Sequence, residues 1–218
     1  NIFIYFQERC HPHMRKFTDK EKELIRGRLL ENGRQLFSVH GLKKTSVTDL
    51  TKSAGIAQGS FYMFFASKEE LYLEILQLEE HAIRSRLLEL LISAEKLTRP
   101  LFKRFLRESF AVMETHPLIR QLYDNDSMET LFRGIPEEKL KEHFDSDSRF
   151  FIPIFELAQQ HGVMIQAHPE TIVSLLRSLV LLALQKRHIG EDKYEDTIEL
   201  LIRLVADGLI AEEEETDD

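Results

Sequence analysis

The sequence predicts an all-α protein of about nine helices, with a small N-terminal three-helix unit built on a helix-turn-helix and a larger helical unit after it. Three observations carry this. Residues 45 to 71 hold two short capped segments hinged at Gly55, followed by the start of a third. From residue 95 onward apolar residues keep a period near 3.6 between turn signals, and no stretch requires a strand. The charge is split: residues 1–70 carry 12 Lys and Arg against 8 Asp and Glu, whereas residues 71–218 carry 17 against 29. A basic head therefore precedes an acidic body, although the formal net charge of the whole is −8.

Residues 1–13 stand apart from this pattern. Ile2-Phe3-Ile4-Tyr5-Phe6 is apolar and β-prone but lacks the basic start and small-residue exit of a signal peptide. Met14 offers a natural start, and the segment before it reads as a leader or a vector-derived extension. Cys10, His11 and His13 lie too close together on a Pro-containing end to be expected to hold a metal. One cysteine excludes an intrachain disulfide, and no apolar run approaches the roughly 18 to 20 residues that span a bilayer. A cytoplasmic protein with no membrane partner is expected.

The first helix is expected from Asp19 to about His40, opened by a Thr18/Glu21 capping box and ended at Gly41. Leu24, Ile25, Arg28, Leu29, Leu36 and Phe37 recur on one face, leaving Lys20, Lys22, Arg26 and Arg34 largely off it as candidate phosphate contacts. In the second helix Ser46 is placed to accept from the amide of Asp49, and Val47, Leu50 and Ala54 share an apolar face. Gly55 ends it, and Ile56 is spaced to plug the angle before a third helix from Gln58 to Phe65. Ser67 and Glu70 form a further box, opening a long helix through Leu71, Ile75, Leu78 and His81 to about Ile92.

On these residues the segment from about 18 to 75 resembles the DNA-binding unit of the TetR family of bacterial transcriptional repressors. The parts that carry it are Thr45-Ser46-Val47, Ala54-Gly55-Ile56, Gly59-Ser60-Phe61-Tyr62-Met63-Phe64-Phe65 and Ser67-Lys68-Glu69-Glu70-Leu71. Ala57 departs from it, since the family commonly has Ser or Thr there as a cap. The resemblance implies that the third helix enters a DNA major groove. Gln58, Ser60 and Met63 would then reach base edges, Tyr62 a phosphate, and Thr48 would add a contact. Gly59 would allow close approach, Lys68 would bind backbone through its charge and the helix N-terminus, and Phe64 is either a contact or core.

The remaining helices are expected at roughly 100 to 115, 117 to 133, 136 to 144, 147 to 161, 169 to 187 and 193 to 211, with turns at Gly134-Ile135-Pro136, Asp145-Ser146-Asp147, His161-Gly162 and His168-Pro169. The organisation this predicts is a leader (1–13), a helix-turn-helix unit (14–66), a regulatory and dimerisation unit (67–211) and an acidic tail (212–218). The last two helices are apolar nearly all round, more than one core face can use. Leu175, Leu179, Leu182, Leu201, Leu204 and Val205 are therefore the expected homodimer contacts, and the resemblance implies the same pairing. Between them and the long helix lies a stretch rich in Phe and Met. Phe102, Phe105, Met113, Tyr123, Phe132, Phe151 and Phe155 either fill a core or, as the resemblance implies, partly line a pocket for a small-molecule effector.

No His-Glu-x-x-His, paired Cys, Gly-rich phosphate loop or nucleophile elbow occurs, so neither catalysis nor a cofactor is expected. The expected function is a ligand-responsive repressor that binds a near-palindromic operator as a homodimer. The rivals are an activator of the same fold and a helical interaction protein without specific DNA binding.

Overall fold

The computed structural model describes residues 17–92, 96–123, 133–183 and 186–211, the side chains of 122, 123, 144, 147 and 187 excepted. It is all-α: α1 (Asp19–Lys44), α2 (Val47–Ala54), a 3-10 segment (Gln58–Met63), α3 (Lys68–Ile92), α4 (Arg99–Thr115), α5 (Pro117–Tyr123), α6 (Glu137–Gln160), α7 (Pro169–Ala183), α8 (Lys186–Ile189) and α9 (Tyr194–Leu209). Among the described residues the sole extended pairing is an isolated bridge between Met164 and Ile210, which ties the α6–α7 loop to the end of α9.

The head forms where local chemistry directs it. The Thr18 hydroxyl accepts from the Glu21 amide at 3.3 Å while the Glu21 carboxylate accepts from the Thr18 amide at 2.8 Å, so α1 begins with its first donors satisfied. Ser46 and Asp49 repeat the exchange at 3.1 and 3.0 Å for α2. Gly55, at φ 73°, closes α2 with a Schellman pair: its amide reaches Lys52 and that of Ile56 reaches the Thr51 carbonyl at 3.0 Å. The chain leaves helical geometry at Gly41 (φ 77°) as expected, but a further turn carries α1 to Lys44. At Ser67 the box is modified. The Glu70 amide donates to Ser67 Oγ at 3.1 Å, but the Glu70 carboxylate accepts from Ala66 rather than from Ser67.

Ile25, Leu29, Phe37, Leu50, Ala54, Phe61 and Phe65 are buried with Leu71, Tyr72 and Ile75 of α3 in one cluster. Gly33 lets α1 approach closely, because a Cβ there would lie 3.0 Å from Ile75 Cδ1 and 3.3 Å from Leu71 Cδ2. Leu118 and Ile119 of α5, and Ile135 beyond it, enter the same cluster, and the Tyr72 hydroxyl donates to the Leu118 carbonyl at 2.9 Å. A second cluster fills the body, with Phe102, Phe105, Leu106, Phe155, Ile172, Leu179, Ile198 and Ile202 among its buried members. There α4 packs between α3 and α9, and α6 lies on α7.

Several sequence expectations change. Leu24 and Arg28 are exposed, so the buried face of α1 is narrower than its apolar spacing suggested. The turn expected at Asp145-Ser146-Asp147 does not form, and α6 runs unbroken through it. Asp and Ser cost a helix only a few tenths of a kcal/mol each relative to Ala, on the order of 0.5, which the buried face of Phe155 and Ala158 offsets. Pro153 lies inside α6 on its exposed side, where the carbonyl that loses its helical donor faces water. Of the helix expected over 169 to 187, Pro169–Ala183 and, as α8, Lys186–Ile189 are helical, residues 184 and 185 lie outside the described set, and the Ala183 carbonyl accepts from the Tyr194 hydroxyl at 2.7 Å.

Candidate nucleic-acid interface and effector cavity

The segment after Gly55 is a 3-10 turn rather than the α-helix expected to Phe65. Its entry at Ala57 carries no side-chain cap, and the Ser60 amide closes instead on the Ala57 carbonyl at 2.9 Å. An uncapped start followed by glycine leaves the tighter i→i+3 pattern as the way to satisfy the first donors. Phe61 is fully buried beneath the segment and meets Tyr62 edge-on at 5.5 Å. This anchor turns the rest outward: Gln58 and Gly59 are exposed, Tyr62 is 61% and Met63 52% exposed, and Ser60 is half-buried. Thr48 is exposed on α2. Around Gly59 no atom lies within 4 Å of where a Cβ would stand. Phe64 is half-buried against the head core, its ring 6.3 Å from that of Phe17.

The cations expected near phosphates are largely committed within the chain. Arg26 forms an ion pair with Glu74 at 2.5 Å and lies over the Phe65 ring at 5.2 Å. Arg34 pairs with Glu31 at 3.0 Å, and Lys22 with Asp19 at 3.1 Å. The Lys68 ammonium points inward and donates to the carbonyls of Leu42, Lys43 and Thr45 at 2.8, 3.4 and 2.9 Å. Its positive charge thus completes the C-terminal end of α1.

In the body a cavity of about 250 Å³ opens between both clusters. Phe105, Met113 and Phe151 line it, joined by Ile119 of α5 and by Val173, Leu176 and Val180 of α7. Phe102 and Phe155 are absent from its wall and fully buried, so they are core. Tyr123 and Phe132, as side chains, fall outside the described set, as do Cys10, His11, His13 and the acidic tail. The polar part of the wall is His143, which the sequence offers among the polar groups of this stretch, with Glu80, Arg84 and Arg177, which sequence reasoning missed. Glu80 and Arg84 sit with Ile83 and Leu87 on one face of α3, a spacing of three, four and seven that was present to be read. Glu80 lies 3.8 Å from Arg84 and 3.6 Å from His143. Ser109 also lines the cavity, but its hydroxyl donates to the Phe105 carbonyl at 2.7 Å. Among the described residues no group of three or more His, Cys, Asp or Glu could hold a metal.

On the outer faces of α7 and α9, Leu175 is exposed, Leu182 is 50% and Leu204 59% exposed, and Leu201 and Val205 are half-buried. Leu179 is corrected: at 4% exposure it belongs to the subunit's own core. No helix among the described residues is long and apolar enough to cross a membrane.

Residues 29–75, which hold most of α1, all of α2, the 3-10 turn and the start of α3, match the family described as bacterial regulatory proteins, tetR family. Over these residues the chain is similar to the DNA-binding unit of the TetR family. The HTH-type transcriptional repressor KstR2 of Mycobacterium tuberculosis is 48% identical over 52 residues, which are 24% of this chain and 26% of that relative. The chain thus spans about a quarter of the length of that curated relative. A TetR-family transcriptional regulator from Pectobacterium atrosepticum shares the fold over 91% of this chain and 100% of its own, with a TM-score of 0.71 and 22% identity. So does the regulator FadR from Bacillus subtilis, solved in complex with stearoyl-CoA, over 84% of this chain and 98% of its own (TM-score 0.58, 15% identity). The all-α fold of these solved structures therefore extends through the body.

Proposed function

We propose that this protein is a DNA-binding transcriptional regulator that occupies a near-palindromic operator as a homodimer and acts as a repressor released by a small apolar or amphipathic effector. The observation that carries it is the outward face of the 3-10 turn. Gln58, Tyr62 and Met63 project from a floor of buried Phe61 and Phe65, and Gly59 sits where nothing within the chain requires a glycine. A glycine with open space before it suits a backbone that must come close to something outside. Gln58, Ser60 and Met63 are the base-reading side chains in this proposal, with Tyr62 on a phosphate and Thr48 beside them. Phe64 acts from beneath, as packing.

The exposed leucines of α7 and α9 support a homodimer through these helices, which would set two reading turns about 34 Å apart on one face of the duplex. The functional division follows: residues 14–66 read, 67–211 sense and pair, and α3 links them. Its first turn packs under the reading segment, while Glu80, Ile83, Arg84 and Leu87 farther along face the cavity. A ligand in that cavity acts on DNA only through unequal affinity for the DNA-bound and DNA-free forms. The names of relatives, repressors among them, support the same reading.

The test is binding of the purified full chain to duplex from its own promoter region across a salt series. Affinity that falls steeply with salt on one fragment, and is lowered further by Gln58→Ala or Ser60→Ala, supports the proposal. Salt-insensitive or fragment-independent binding removes it.

A further inference from the structure

Resting on the reading of the 3-10 turn as the element that meets base edges, we infer that the base pairs beneath it are A·T pairs, with an adenine edge read by Gln58 and a thymine methyl by Met63. Charge, by its absence, argues first. Residues 53–67 hold no Asp, Glu, Lys, Arg or His, in a chain of which 30% is charged. Within that stretch Phe61 and Phe65 are buried, whereas Gln58, Gly59, Tyr62 and Met63 are exposed. The cations that bracket it, Lys52 and Lys68, belong to α2 and α3, and Lys68 is turned to the Leu42 and Thr45 carbonyls. Guanine is most often read by Arg or Lys on O6 and N7, and cytosine N4 by a carboxylate. The turn offers neither.

The chemistry of what remains argues second. Gln58 ends in a neutral amide, with a donor and an acceptor side by side. Adenine presents the matching pair in the major groove: its N7 accepts from the amide nitrogen while its N6 amino group donates to the amide oxygen. Guanine presents two acceptors there, so the amide oxygen would face a group of its own kind. Met63 is 52% exposed, and its thioether is only a weak acceptor. The thymine C5-methyl is the apolar group that a major-groove edge sets before it.

Close approach argues third. Gly59 and Ser60 stand between the two readers, and open space surrounds the position a Gly59 Cβ would take. The backbone can therefore come near enough for both side chains to touch the groove floor. The Ser60 hydroxyl donates and accepts through one atom, which suits any base and leaves the preference to its neighbours.

The purified full chain is used to select duplexes from a random-sequence pool, in parallel with Gln58→Ala and Met63→Ala. Positions at which either variant loses the parent's preference are expected to be A·T. In the selected duplex, 7-deazaadenine at the contacted adenine should cost the parent about tenfold in affinity and Gln58→Ala little. Uracil for the contacted thymine removes one methyl and should cost the parent about fourfold and Met63→Ala little. The two modified bases test the parent directly, should a variant not fold. Preference lost at G·C pairs, or parent binding indifferent to both modified bases, overturns the inference while leaving sequence-specific DNA binding in place. A pool from which no sequence is enriched removes the inference and the DNA-reading function together.

Discussion

The ammonium of Lys68, the first residue of α3, donates to the backbone carbonyl of Leu42 at 2.8 Å, joining the start of the long helix to the last turn of α1. The adjacent carbonyls of Lys43 and Thr45 share the same group. Truncation leaves three carbonyls to find other donors. Lys68→Ala is therefore expected to destabilise the protein by about 1 to 3 kcal/mol, read as a lowered midpoint in urea. The slope of DNA affinity against salt should stay near that of the parent. A slope shallower by about one unit, with unchanged stability, would instead place the charge on a phosphate.

Gly59 separates the fold from the interface in a single substitution. With open space where its Cβ would stand, Gly59→Ala should leave the melting temperature unchanged or raise it, since alanine is favoured over glycine in a helical turn by up to about 1 kcal/mol. Operator affinity should nevertheless fall. Mobility-shift titration giving parental affinity would mean that DNA does not approach this backbone.

The two sides of α7 should respond differently to charge. Leu182→Glu or Leu204→Glu places a carboxylate on an exposed apolar face, and sedimentation should then find folded monomers. Leu179→Glu puts it inside the subunit, where an unpaired charge costs several kcal/mol, roughly 3 to 5, and an unfolded or aggregated product is expected. A dimer unaltered by the two exposed changes would move the interface elsewhere.

Acid should loosen the head. Asp49 titrates below its ordinary 3.8 because the Ser46 hydroxyl and amide donate to it, and Glu70 below 4.5 because the Lys139 ammonium does. Each ionises more readily in the folded chain than in the unfolded one. Their stabilisation is therefore complete above the ordinary carboxylate values and is lost as pH falls through the depressed ones. The midpoint of thermal unfolding should fall from about pH 5 downward, and Asp49→Asn should flatten part of that decline. Parallel curves for parent and variant would assign the acid sensitivity to other carboxylates.

Much of the head was legible because its signals are local. Thr18 with Glu21, Ser46 with Asp49, and Gly55 each act within about one helical turn, so residue type and spacing suffice to predict them. Gly33 and Lys68 act across the fold, the second on a carbonyl 26 residues away, and neither has a periodic signature. Ala57 announced a missing cap, and the tighter turn is its outcome. In the body, a helix apolar on both sides cannot reveal which side its own subunit covers, which is why Leu179 and Leu182 were grouped together although packing separates them. The Asp145-Ser146-Asp147 turn was inferred from composition alone, without the Gly or Pro that would have enforced it. Glu80 and Arg84 gave no sign of a cavity in the sequence, because the walls that face them come from α4, α6 and α7.

Leu118 and Ile119 are buried among Phe37, Leu71 and Tyr72, and the Gln121 side chain donates to the Ser38 carbonyl at 2.6 Å. A chimera that grafts only the segment ahead of α3 onto another sensor would leave this hollow bare and lose the contacts that seat α1. Swapping operator preference between such proteins therefore calls for a discontinuous exchange, in which the seven residues of the donor's own α5 travel with the donor's head.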